Sequence, residues 1–256
     1  MKVRRFQEGS RGWAWWIAVP IVRPILLATT RHKWIDSEKI PAEGGFILVI
    51  NHISEVDPLI VAHIVWDHGR IPRYLAKSGL FKNKLLGFFL RSAGQIPVHR
   101  ASKSAVGAYD AAVAAVRDGK CVVVYPEGTI TRDPDLWPMV GKSGAARIAL
   151  ATGAPVVPIG QWGAQQLLAP YAKKPDLFPR KLITMKVGDP VDLAGLEGDQ
   201  SSKAVNEATE RIMAAITVLV EDVRGATAPA ERFNPRTAGV AEFGNPNEGG
   251  RRGKAS

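Results

Sequence analysis

The sequence predicts an α/β fold: a single domain on a largely parallel sheet, flanked by helices. Two observations carry that expectation. Runs such as Phe46-Ile47-Leu48-Val49-Ile50 and Cys121-Val122-Val123-Val124 are apolar throughout, the pattern of strands buried on both faces. These runs alternate with helix-length segments, and a βαβα order implies parallel pairing. A third observation bounds the size. With 256 residues, 46 % apolar and 23 % charged, the chain suits one globular domain and excludes wholesale disorder.

The elements are expected in the following order. Residues 13–27 read Trp-Ala-Trp-Trp-Ile-Ala-Val-Pro-Ile-Val-Arg-Pro-Ile-Leu-Leu, a helical segment whose apolar run is cut by Arg23 and kinked by Pro20 and Pro24, which makes it a poor spanning helix. Residues 45–50 form a buried strand after Gly44-Gly45, and a helix starts at Pro58 and runs to residue 66. Residues 71–76 and 95–98 are short strands. Residues 102–118 are an amphipathic helix with Val106, Tyr109, Val113 and Val116 on one face and Gly119 at its stop. A strand over 121–125, a helix over 143–152 ended by Gly153, and strands over 155–160 and 182–187 follow. A helix over 202–223 closes the domain. From Gly225 on, Pro, Gly, Ala and Arg dominate without periodicity, which reads as a disordered tail. The organisation is then 1–33 as an N-terminal segment, 34–224 as the domain and 225–256 as the tail.

Charge narrows the class of partner. The net charge is +10, of which residues 1–33 carry +6 and residues 70–100 carry +7, so the remainder is slightly acidic. Two basic segments on a near-neutral body suggest one anionic surface. Between the cations lie Trp13, Trp15 and Trp16 in the first segment and Leu85-Leu86-Gly87-Phe88-Phe89-Leu90 in the second. Trp with Lys and Arg around apolar residues is the composition of an interfacial membrane anchor, whereas a nucleic-acid face wants polar residues between its cations. The expected partner is therefore an anionic phospholipid membrane and not nucleic acid. Residues 1–33 become an amphipathic, interfacial anchor on a peripheral protein. A secretory signal peptide is the rival for this segment; two prolines, Arg23 and the lack of a small-x-small cleavage pattern speak against it. No stretch of 18 uncharged apolar residues exists, which excludes a polytopic membrane protein. The single Cys121 excludes an internal disulfide framework and a Cys-based zinc cage.

Polar clusters directly follow two of the expected strands, where open α/β sheets place their ligand sites. The first is Asn51-His52-Ile53-Ser54-Glu55-Val56-Asp57-Pro58. His52 and Asp57 are about 140° out of phase on a helix but can meet in a turn. A carboxylate against one imidazole nitrogen fixes the tautomer and leaves the other nitrogen as a general base. The same Asp before Pro is also an ordinary helix N-cap, and spacing alone leaves both readings open. The second cluster, Pro126-Glu127-Gly128-Thr129-Ile130-Thr131-Arg132, offers an acid, a flexible Gly, a hydroxyl and nearby cations including Lys142, suited to a phosphate. His32, His63 and His68 have no comparable partner spacing.

Taken together, the clusters resemble the motifs of the glycerolipid acyltransferase family, the 1-acylglycerol-3-phosphate acyltransferases. Asn51, His52 and Asp57 match its Asn-His-x4-Asp motif. Gly94-Gln95-Ile96-Pro97-Val98-His99-Arg100 matches its Gly-x-Ile-x-x-x-Arg motif. Tyr125-Pro126-Glu127-Gly128-Thr129-Ile130 is similar to Phe-Pro-Glu-Gly-Thr-Arg, and Val156-Val157-Pro158-Ile159 to its apolar Val-Pro-Ile element. Two departures stand out: Ile130 replaces the arginine after Glu-Gly-Thr, and His99 replaces an acid before Arg100. The resemblance, over roughly residues 30–190, implies acyl transfer from acyl-CoA or acyl carrier protein to a lysophospholipid hydroxyl, giving phosphatidic acid. It implies His52 and Asp57 as the catalytic pair. It also implies an acceptor site drawn from Lys77, Arg100, Glu127, Gly128 and Thr129, with Arg132 in place of the missing arginine. No cofactor or metal is expected, the acyl thioester being a co-substrate. The expected location is the cytoplasmic face of the cell membrane. Acylation of another lysophospholipid or a glycolipid head group, or lipid binding without catalysis, are the alternatives.

Overall fold

A computed structural model describes residues 12–98, 105–242 and 244–245. The described residues open with α1 (Trp13–Thr29), which passes without a break into β1 (Thr30–Ile35). There follow β2 (Phe46–Ile50), α2 (Asp57–Asp67), β3 (Pro72–Lys77), α3 (Lys84–Ser92), β4 (Ile96–Val98), α4 (Ala105–Arg117) and β5 (Cys121–Val124). Then come α5 (Gly144–Thr152), β6 (Val156–Trp162), the short α6 (Ala164–Leu167), β7 (Lys181–Val187) and α7 (Ser202–Arg224). The seven strands form one sheet in the order β1-β7-β6-β2-β5-β3-β4. Every neighbouring pair is parallel except β6 with β7.

The sheet is buried because both of its faces are covered, as its apolar strands require. All five residues of β2 are buried. Ile47 and Val49 face α4, α5 and α7, where they meet Ala112, Val116, Ile148 and Ile212. Phe46, Leu48 and Ile50 face the other way, toward Leu26 of α1 and Ile60 and Ile64 of α2. Cys121 is buried on this second face and is not part of a disulfide, as its strand context predicts.

Two expectations are corrected here. The N-terminal segment does not end before the sheet: Thr30 to Ile35 is a strand hydrogen-bonded in register to β7. The expected helical segment is α1, which keeps Pro20 and Pro24 inside it and is held by packing along its length. The Trp15 indole donates to the carbonyl of Ala93 (3.2 Å) and stacks on Trp66, while Arg23 pairs with Asp67 at 3.0 Å. The residues from 226 to 242 are irregular but not free. Val140 N–H donates to the carbonyl of Phe233, Arg232 pairs with Glu210, and Ala228 packs on the core. Polar and backbone contacts fix this stretch, which is why composition alone reads it as disordered; residues 246–256 of the expected tail lie outside the described residues, as do residues 1–11 of the expected anchor.

His32 and His63 also gain partners that their spacing did not announce. His32 Nε2 lies 2.7 Å from Thr30 Oγ1, its ring meets His63 edge to face, and His63 Nε2 is 3.4 Å from Asp67. Burial lowers the His32 pKa from 6.5 to about 4 and also lowers that of His63, against the raising effect of Asp67, and the two rings pack between β1 and α2.

The outer face of α1 leaves Trp16, Ile17, Ile21 and Ile25 exposed, and α3 beside it exposes Leu85 and Phe88. Trp13 bridges the two helices through Phe88 and Phe89. Among the described residues no helix is long and apolar enough to cross a membrane.

Candidate active site

The carboxyl ends of β2, β3, β4 and β5 bring the motifs to one edge of the sheet. Immediately after β2, Asn51 is locked in place by Gln161. The Asn51 amide donates to the Gln161 carbonyl at 3.1 Å, and Gln161 returns two bonds to Asn51 at 2.9 and 3.0 Å. This fixes the turn from which His52 projects.

His52 Nδ1 lies 2.8 Å from Asp57 Oδ2, which also accepts the backbone N–H groups of Ile53 (2.7 Å) and Ser54 (2.9 Å). With Oδ2 already accepting two backbone N–H groups, the contact is satisfied when Nδ1 donates to it, which leaves Nε2 as the ring nitrogen turned away from Asp57. The capping reading of Asp57 is thereby excluded. Val56 is the N-cap of α2, and the Asp57 carboxylate turns back onto the preceding loop. The His52 ring stacks on Tyr125 at a centroid distance of 4.2 Å and is 16 % exposed, open enough to meet a ligand.

His52 and Tyr125 line a cavity of about 880 Å³. Its wall is mostly apolar, built from α1 (Trp15, Val22), α2 (Leu59, Trp66) and α3 (Phe89, Leu90). Such a space suits a hydrocarbon chain, with the imidazole at its polar end. Among the described residues lining it there is no Ser, Thr or Cys. No group of three or more His, Cys, Asp or Glu among the described residues could hold a metal ion.

The remaining nominated residues divide. Gly128 lines the cavity in a left-handed turn (φ 73°) that a side chain would strain. Glu127, expected to touch the acceptor, is instead fully buried beneath it. Its Oε1 accepts the His52 N–H (2.9 Å) and its Oε2 the Met139 N–H (3.0 Å), so it ties the two motif loops together. Burial raises its pKa from 4.5 to about 8, against the lowering effect of those two backbone bonds. Thr129 is half-buried in the same turn, away from the cavity wall. Ile130 is buried, and Arg132 is not in the wall either: its guanidinium donates to the Tyr171 hydroxyl (2.6 Å) and to the Gly244 carbonyl (2.5 Å). Lys77 ends β3 at the same sheet edge, but its side chain lies outside the description, and Arg100 lies outside the described residues altogether.

Some residues at the site escaped the sequence reading. Gln161 gives no local signal, because its partner is 110 positions away. Arg236 and Glu242 also line the cavity, contributed by the stretch read as a tail. Tyr125 carries a buried hydroxyl with no hydrogen-bond partner among the described residues, at a position the motif fills with Phe.

The profile of the family described as Acyltransferase matches residues 31–162. A 1-acyl-sn-glycerol-3-phosphate acyltransferase of Bacillus subtilis is 30 % identical over 182 residues, 69 % of this chain and 83 % of its own. One from Borreliella burgdorferi is 34 % identical over 124 residues, 48 % of each chain. The crystal structure of the 1-acyl-sn-glycerophosphate acyltransferase of Thermotoga maritima shares the fold, with a TM-score of 0.58 at 23 % identity over 82 % of both chains. The matched region spans β1 to β6 and includes His52, Asp57 and the Glu127 turn; on that match the chain belongs to the acyltransferase family and is an acyltransferase.

Proposed function

We propose that this acyltransferase moves a fatty acyl group from an acyl thioester, acyl-CoA or acyl carrier protein, to the free hydroxyl of 1-acylglycerol 3-phosphate, giving phosphatidic acid. The observation that carries the reading is the His52–Asp57 pair at the polar end of a large apolar cavity. His52 Nε2 takes the hydroxyl proton as the acceptor oxygen attacks the thioester carbonyl. The C–O bond forms, the C–S bond breaks, and the departing thiolate takes up the proton from the imidazolium. A thiol of ordinary pKa, about 8.5, leaves without a dedicated acid. Asp57 acts as a positioning residue: it fixes the tautomer and supports the imidazolium charge. Direct transfer fits a cavity wall without a nucleophilic Ser, Thr or Cys among its described residues.

The acceptor resides in a bilayer, and the exposed apolar faces of α1 and α3 supply the means of reaching it. Lys82, Lys84 and Arg91 flank the apolar residues of α3, the arrangement expected for docking on anionic phospholipid at the cytoplasmic face of the cell membrane. One observation favours a second acceptor, another phosphate-bearing lysolipid: the arginine position after Glu-Gly-Thr is a buried Ile130. The test is acylation by the purified chain of a panel of lysolipids, with both thioester donors and positional analysis of the products. Fastest turnover of 1-acylglycerol 3-phosphate into phosphatidic acid is expected. Preference for a neutral lysolipid would overturn the proposal.

A further inference from the structure

One polar part of the cavity joins Lys142, the cation beside the second sequence cluster, to two residues of the final stretch that the sequence did not nominate. Lys142 and Arg236 both line it, and Glu242 sits between them. Lys142 Nζ is 3.0 Å from Glu242 Oε2, and Arg236 Nε is 2.6 Å from Oε1. Lys142 follows β5, and its stem runs against Gly128, where an added Cβ would meet Cδ at 3.1 Å. The adjacent Glu127 holds the His52 N–H, so the lysine stands over the turn that supports the imidazole. Arg236 and Glu242 arrive from the far end of the chain, on a segment pinned by the bonds from Val140 to Phe233 and from Arg132 to Gly244.

We propose that Lys142 and Arg236 form the anion site of the cleft, that they receive the phosphate of the acceptor, and that Glu242 holds both cations until this phosphate displaces it. The inference rests on the reading of the acceptor as a lysophosphatidate. Charge accounting supports it. With Ile130 buried and Arg132 committed to Tyr171 and Gly244, the other cationic side chain in the wall, among the described residues, is Arg23. Arg23 is paired with Asp67. A carboxylate offers one charge on two oxygens; a phosphate monoester offers nearly two on three, the better partner for a lysine and an arginine together. Displacement costs little, because the Arg236 side chain is 77 % exposed and that of Lys142 39 %, and ion pairs this open to solvent are weak. A segment that composition marks as disordered thereby supplies half of a substrate site and an internal stand-in for its ligand.

The experiment uses the full chain with lysophosphatidate presented in mixed micelles. Glu242→Gln is expected to lower the acceptor KM about two- to fivefold, the scale of weak surface ion pairs. Lys142→Met and Arg236→Gln are expected to raise it about tenfold each, the scale of a charge-assisted hydrogen bond to an anion. With 1-acylglycerol, which has no phosphate, neither lysine nor arginine variant should shift KM. Soluble glycerol 3-phosphate should compete with the acceptor more strongly in Glu242→Gln than in the parent, whereas inorganic phosphate at equal concentration should compete poorly. Equal competition by inorganic phosphate would reassign the site to free anions and overturn the proposal. So would an unchanged KM in Glu242→Gln, or equal effects of Lys142→Met on both acceptors. If the parent chain turns over 1-acylglycerol but not lysophosphatidate, the acceptor reading itself has failed, a result distinct from failure of the clamp. Circular dichroism of each variant checks that the fold is kept.

Discussion

Replacing Asp57 by Asn separates charge from hydrogen bonding at the active site. Asp57 Oδ2 accepts three bonds, from the His52 ring and from the N–H groups of Ile53 and Ser54, while Oδ1 is buried without a partner among the described residues. An Asn here must place its oxygen where Oδ2 lies, because the reverse orientation would set an NH2 against three donors. In that orientation His52 keeps its tautomer, and the new NH2 occupies the unpartnered Oδ1 position. One buried unsatisfied donor costs about 1–3 kcal/mol, or a fall in Tm of about 3–10 °C for a chain of this size. The catalytic loss is larger and comes from charge. An imidazolium and a carboxylate whose charges are centred about 4 Å apart attract by about 4 kcal/mol at an effective dielectric of about 20, which is about 10³ in rate if the proton is fully transferred at the transition state. Partial transfer brings the expected fall to about 10²–10³-fold. The assay is the initial rate of phosphatidate formation at saturating donor, with circular dichroism and a thermal melt on the same sample. A folded variant retaining more than a tenth of the parent rate would refute the charge argument. Loss of activity that only tracks loss of fold would assign Asp57 to the turn alone.

Glu127→Gln should destabilise the chain by about 1–3 kcal/mol in thermal or urea unfolding, since an amide NH2 must face either the His52 or the Met139 N–H. The parent should also lose stability as pH rises from 6 to 9. Burial raises Glu127 from 4.5 to about 8, so between those values the folded chain holds a proton that the unfolded chain has released. Its contribution is complete below pH 4.5 and is lost as pH rises through about 8, and Glu127→Gln should flatten that slope in urea titrations. Gly128→Ala places a Cβ 3.1 Å from the Lys142 stem at a φ of 73°, and a loss of about 1–2 kcal/mol with a raised acceptor KM is expected from melts and kinetics. The triple change Ile17→Ser, Ile21→Ser and Leu85→Ser removes exposed apolar side chains worth about 1 kcal/mol each on burial; binding to anionic vesicles should fall by more than tenfold in a sedimentation assay, with Tm unchanged. Tyr125→Phe deletes an unpartnered buried hydroxyl and should raise Tm by a few degrees, about 1 kcal/mol.

What the sequence made legible follows from how each element is stabilised. β2 and β5 could be read because strands buried on both faces must be apolar at every position. β1 could not: it is an edge strand with Arg31, His32 and Lys33 in its middle, and its hydrogen bonds to β7 leave no mark on composition. Composition marks residues 85–90 as apolar between cations but gives no conformation, and Asn83 caps them as a helix by accepting the N–H of Leu86. At the site, the spacing of His52 and Asp57 allowed a meeting in a turn but left a cap equally open, and the ordered set of motifs around them is what made the pair legible. Glu127 misled even so. A carboxylate beside Gly128 reads as a ligand-facing group, and only the distant loops of His52 and Met139 closing over it show that it is fully buried. The same holds for the final stretch. Low periodicity correctly denies residues 226–242 a helix or a strand, but it says nothing of backbone bonds from Val140 or of ion pairs from Lys142. Disorder follows from composition only where a segment has neither a core of its own nor a surface to lie on, and the cleft beside Gly128 is such a surface. The residues that the sequence hid are therefore those whose partners are far away in the chain, Gln161, Arg236 and Glu242, and two of these three stand where the acceptor's charge would have to be met.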